Sequence, residues 1–157
     1  YKVYIQFMPI EPFLKDREGV TYWLYRLHDP INKKQLSSLM SSANIGLQTL
    51  ANIKAFYYGT SPNKFFDYIA SGLPVLINYP GWIAELINKN DVGYVVMPEN
   101  AISFANALEE AADNPVDLKM KGLNSKQLAI ESFDRKTQSE DWVNILEITL
   151  GNIEKNR

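Results

Sequence analysis

The apolar positions fall into short runs separated by amphipathic stretches. Lys2 to Met8 (Val-Tyr-Ile-Gln-Phe at its centre) predicts a buried strand ended by Pro9. Glu11 to Arg17 fits a short helix or a loop, broken by Gly19. Val20 to Leu27 is rich in strand formers. Leu36, Leu39 and Met40 mark a short amphipathic helix after the Asp29-Pro30 turn. Asn44 to Leu50 predicts a strand with Ile45 and Leu47 in phase, and Ala51 to Tyr58 a loop or irregular helix carrying aromatics. Beyond the central segment, Val75 to Asn78 and Gly93 to Met97 predict strands, with a helix from about Ile83 to Lys89 between them. Three helices follow: Ala101 to Ala112, stopped by Asn114-Pro115, then Val116 to Ser132 and Thr137 to Glu154. In the last, Trp142, Ile145, Leu146, Thr149 and Ile153 line one side, and the expectation is that they pack as core. Strands alternating with helices argue for an α/β fold with a parallel sheet covered on both faces.

The most fully marked element lies between Gly59 and Val75. Ser61 suits an N-cap and Pro62 the first helical position. Phe65, Phe66, Ile69 and Ala70 form the expected buried face. Gly72 suits the left-handed residue past the end, and Pro74 prevents continuation. The start of such a helix presents backbone N–H groups and the positive end of its dipole, which favours anions such as phosphate. Lys64 adds a cation within the first turn, and Asp67 offers a carboxylate that accepts from two neighbouring hydroxyls, as on a ribose. A plain cap with solvated Lys64 and surface Asp67 is the competing reading.

Composition narrows the field. The chain has 157 residues, 46% hydrophobic and 22% charged, with net charge −2. That is a one-domain size with no electrostatic footprint for nucleic acid. There is no cysteine and a single histidine, so disulfides, thiolate metal sites and multi-His clusters are excluded. His28 beside Asp29 is not read as a catalytic pair, because sequence neighbours seldom face each other. No apolar run approaches the ~20 residues of a membrane-spanning helix, and the N-terminus lacks the shape of a signal peptide. The expected location is cytoplasmic.

The run Ser61-Pro62-Asn63-Lys64-Phe65-Phe66-Asp67-Tyr68-Ile69-Ala70-Ser71-Gly72-Leu73-Pro74-Val75 resembles the donor-site segment of the group 1 (family 4) retaining glycosyltransferases. It is most similar to the bacterial surface-polysaccharide branch, which reads Ser-Pro-x-Lys-x-x-Glu-Tyr-x-Ala-x-Gly-x-Pro-Val. The similarity continues through Pro80-Gly81-Trp82-Ile83-Ala84-Glu85-Leu86-Ile87, Gly93-Tyr94-Val95-Val96 and Pro98, and covers the chain from about Gly19 onward. Of the family's Glu-x7-Glu pair, the first position falls on Gly59 and the second on the shorter Asp67.

The resemblance implies the C-terminal, nucleotide-sugar-binding half of a glycosyltransferase B fold, a Rossmann-like sheet with a helical tail. On that reading residues 1–157 are a single donor domain. The N-terminal acceptor domain is absent, as is the first strand-and-helix unit with its Arg and Lys, and the piece alone is expected to be inactive. The implied chemistry is metal-independent retaining glycosyl transfer from a nucleoside diphosphate sugar, in polysaccharide or glycoconjugate biosynthesis, with no cofactor. Backbone groups of Thr60, Ser61 and Asn63 and the ammonium of Lys64 would stabilise the leaving diphosphate, Lys64 being the catalytic candidate. Asp67 would hold the ribose, Tyr25 and Arg26 would lie near the base, and the Gly81-Trp82 turn would flank the cleft. Glu85 matches a recurrent family Glu, or pairs with Lys89 one turn on. Lys33-Lys34 and Lys119-x-Lys121 read as solvated surface, the alternative being a peripheral membrane contact near lipid-linked acceptors. The other functional class left open is a non-catalytic nucleotide- or partner-binding module.

Overall fold

The computed structural model describes residues 4–8, 24–28 and 31–155, with side chains over 31–151. It divides into two units, Tyr1–Ala43 and Asn44–Arg157.

In the first unit, β1 (Tyr4–Met8) pairs antiparallel with β2 (Leu24–His28), Tyr4 opposite His28 and Met8 opposite Leu24. Both strands stand where the apolar runs predict them, but they form a separate two-stranded sheet instead of joining a parallel one. Strand-forming residues encode extension, not the direction of the partner. The expected helix or loop at Glu11 to Arg17 lies outside the described residues. Helix α1 (Lys33–Ser41) begins with a reciprocal capping box: Gln35 N–H donates to Asn32 Oδ1 at 3.0 Å, and Asn32 N–H to Gln35 Oε1 at 3.1 Å.

The second unit is a small α/β structure. Strands β3 (Gly46–Gln48), β4 (Val75–Ile77) and β5 (Gly93–Val95) are parallel, in that order, with Leu47, Leu76 and Tyr94 in register. Between them run α2 (Ala55–Gly59), α3 (Asn63–Ala70) and α4 (Trp82–Asn90). After β5 come α5 (Ala101–Asp113), α6 (Pro115–Phe133) and α7 (Arg135–Lys155). All three residues of β4 are buried, as a central parallel strand requires. Alternation splits the core. Val75 and Ile77 pack with Phe65 and Ile69 of α3, Ile83 and Ile87 of α4 and Leu128 of α6. Leu76 and Tyr94 face the other way, against Ala107 and Ala111 of α5. The two alanines let α5 approach closely.

Helix α3 ends as its sequence predicts. Gly72 has φ 74°, Leu73 N–H donates to Tyr68 O at 3.0 Å and Gly72 N–H to Ile69 O at 3.0 Å, the paired bonds of a Schellman motif. Ala70, expected on the buried face, is exposed, and its carbonyl accepts from Lys126 Nζ at 2.5 Å; only Phe65 and Ile69 point fully inward.

The helical tail departs most from expectation. Trp142, Ile145 and Leu146 are exposed instead of core. Helix α6 stops at Phe133, and Asp134 alone, with ψ 125°, separates it from α7. The sequence period reports an apolar face but not whether anything covers it.

Candidate functional site

The end of α3 leads within four residues to the start of β4, and Pro74 O accepts from Gly46 N–H at 2.8 Å. Helix α3 therefore runs opposite to the strands, and its first turn lies at the carboxyl edge of the sheet. Ligands of parallel sheets bind along that edge.

Local packing fixes how the chain enters α3. Thr60 Oγ1 donates to Phe56 O at 2.7 Å, and the Trp82 indole donates to Thr60 O at 2.8 Å. Held at both points, the chain stays extended through Pro62 (φ −72°, ψ 123°), and α3 starts one residue later than its sequence signals suggest. Pro62 takes the cap position, and Ser61 makes no side-chain capping bond. Phe65 N–H turns back to Pro62 O at 3.0 Å. Among the described residues, the amides of Asn63 and Lys64 have no protein acceptor. Ser61, Asn63, Lys64 and Asp67 are exposed. Neither the Lys64 ammonium nor the Asp67 carboxylate enters an ion pair or side-chain hydrogen bond among the described residues. Lys64 and Asp67 stand almost one turn apart on this helix.

Side chains stitch together the loops at this edge. Asn78, just past β4, donates to Leu50 O at 3.0 Å and accepts from Leu50 N–H at 2.8 Å. The buried Gln48 amide donates to the Tyr79 hydroxyl, and burial raises the pKa of that phenol. Gln48 Oε1 has no partner among the described residues. Asn52 donates to Glu99 Oε2 at 3.0 Å and accepts from the Tyr57 hydroxyl. Tyr58 donates to Glu85 Oε1 at 2.9 Å, and that bond together with the carboxylate's charge raises the Tyr58 pKa. None of these pairs is visible as a motif; an Asn directly after an apolar strand is the one available signal.

The Gly81-Trp82 turn is part of this bracing. Gly81 is buried with φ 120°, and a Cβ there would fall 1.9 Å from Tyr57 O, so only glycine permits the approach. Trp82 is half-buried, spends its indole N–H on Thr60 and packs against Phe66, ring centroids 6.4 Å apart. Glu85 bonds Tyr58, not Lys89. A shallow hollow of about 320 Å³ lies along the outer side of α4, lined by Trp82, Glu85, Leu86 and Lys89. Lys64 and Asp67 do not line it. For Tyr25 and Arg26 only the backbone of β2 is described, and their side chains lie outside the described residues.

One pair of lysines divides. Lys119 is exposed, but Lys121, expected on the solvated surface, is buried between Asp91 and Asp117 (3.3 Å to the latter), its Nζ 5.5 Å from the centre of the Tyr94 ring. Burial acts to lower its pKa, but the hydrogen bonds and charges of the two aspartates outweigh it, so the pKa is raised.

The carboxyl edge thus offers two amides, a helix dipole, an unspent ammonium and an unspent carboxylate on one short helix, which suits an anionic group next to a diol. No protein-family model matches the chain, and no curated protein matches it. No described helix is long and apolar enough to cross a membrane.

Proposed function

We propose that residues around the start of α3 bind the diphosphate of a nucleoside diphosphate sugar, and that the chain is the donor-binding part of a retaining glycosyltransferase. The observation carrying this reading is the exposed first turn of α3, where the Asn63 and Lys64 amides and the Lys64 ammonium are unspent at the carboxyl edge of a parallel sheet. As the glycosidic bond breaks, charge grows on the leaving diphosphate. Fixed N–H donors and one cation stabilise it without a metal. Asp67 takes the ribose hydroxyls. The three-stranded parallel sheet with helices on both faces is compatible with one half of a glycosyltransferase B fold.

A non-catalytic binding module is the second reading. Gly59, where the resemblance would place the first carboxylate, ends α2 with no side chain to offer. A thermal-shift screen against UDP, GDP and ADP and their sugars tests the binding step common to both. Stabilisation by at least one is expected, weakened by Lys64→Ala for every diphosphate and by Asp67→Ala for ribose-bearing ligands. Equal shifts in parent and both variants would remove the site. Turnover of a nucleotide sugar by a protein containing this chain separates transferase from module.

A further inference from the structure

Helix α6 has two apolar faces. One packs on the core through Gly122, Ser125 and Leu128. On the opposite side, Val116, Met120, Leu123 and Ile130 recur at seam-like spacing, each more than half exposed. Helix α7 carries a broad band, Trp142, Val143, Ile145, Leu146 and Leu150, also each more than half exposed. Lys136, Glu140 and Glu147 flank this band, Arg135 falls within it, and Ile148, also more than half exposed, lies outside it.

The exposed fractions of these residues, taken over both helices, correspond to on the order of 1,000 Å² of surface per copy, comparable with the ~800 Å² per partner of a stable dimer. The band on α7 and the stripe on α6 are complementary in kind, but one chain cannot bring them together. An antiparallel helix return takes about 2–5 connecting residues, and only Asp134 lies between the two helices. That residue is also committed: its Oδ1 accepts from the N–H groups of Lys136 at 3.1 Å and Thr137 at 3.0 Å, fixing the start of α7.

We infer that two copies exchange these helices, α7 of each lying along the outer stripe of α6 in its partner. The arrangement is a closed two-fold pair in which the α6 stripe and the α7 band of each copy are covered by the other. It is independent of nucleotide binding at α3.

Sedimentation velocity over a concentration series is the first test, with a dimer expected at tens of micromolar. Leu123→Asp and Leu146→Asp each replace an exposed side chain, so circular dichroism should show an intact fold while the dissociation constant rises about 100-fold or more. Because the chain has no cysteine, mixing the single variants Leu123→Cys and Leu146→Cys under mild oxidation reads the pairing directly. A cross-link between the two different variants supports the exchange. A monomer throughout the series, a dimer indifferent to both aspartates, or cross-links only between identical positions would overturn it.

Discussion

Lys64 and Lys121 stand at opposite ends of the same sheet and have opposite fates. At the amino edge, α6 spends its polar groups on the fold. Lys121 joins Asp91 and Asp117, Asn124 donates to Asp91 O at 3.1 Å, Ser125 to Val92 O at 3.3 Å, and Lys126 to the last carbonyl of α3. At the carboxyl edge the stitching is done by other side chains, Asn78, Trp82, Glu85 and Glu99 among them, which leaves Lys64 and Asp67 uncommitted. A charge already paired inside the fold has little left to offer a ligand; a charge held beside a braced loop and left unpaired does. The contrast lies in which groups are consumed, not in residue type.

Substitutions at either edge of the sheet probe this difference. Gly81→Ala should have the largest effect, because it combines a clash with Tyr57 O and an unfavourable φ; a loss of about 3 kcal/mol or more is expected in urea unfolding. Asn78→Ala removes both bonds to Leu50 and should cost about 2 kcal/mol, with loss of nucleotide binding as the loops loosen. Lys121→Met should cost about 1–2 kcal/mol, discounted because both aspartates remain partly solvated, and should leave nucleotide affinity unchanged. Its pH signature follows from a folded pKa raised above the ordinary lysine value of 10.5. The stabilisation is complete below that value and is lost as pH rises through the folded pKa. The gap in melting temperature between parent and variant should therefore hold at neutral pH and close only in strongly alkaline solution. Lys64→Ala should have the smallest effect on stability, within about 0.5 kcal/mol, while weakening diphosphate binding about tenfold or more. If Lys64→Ala unfolds the protein or Lys121→Met abolishes binding, the assigned division of labour is wrong.

The order of strands and helices was legible because the evidence for it is local. The Ser61-to-Pro74 signals locate α3 to within a residue or two and place its left-handed Gly72 correctly. What stayed hidden depends on contacts distant in sequence. The late start of α3 follows from Trp82 holding Thr60, 22 residues apart. The burial of Lys121 follows from Asp91, 30 residues away, taking a left-handed conformation (φ 50°) at the end of α4. The antiparallel pairing of β1 with β2 is equally invisible, since strand composition has no sense of direction. At the site, Lys64 and Asp67 were legible as residue types at helical spacing. That they remain uncommitted could be known only once the surrounding bonds were placed.

The most direct test of this division is backbone NMR of the chain titrated with UDP and, separately, inorganic pyrophosphate. The amides of Asn63 and Lys64 should shift first and furthest with both ligands, Asp67 should respond only to UDP, and residues around Lys121 should stay still. Shifts scattered over the surface, or centred anywhere other than the first turn of α3, would contradict it.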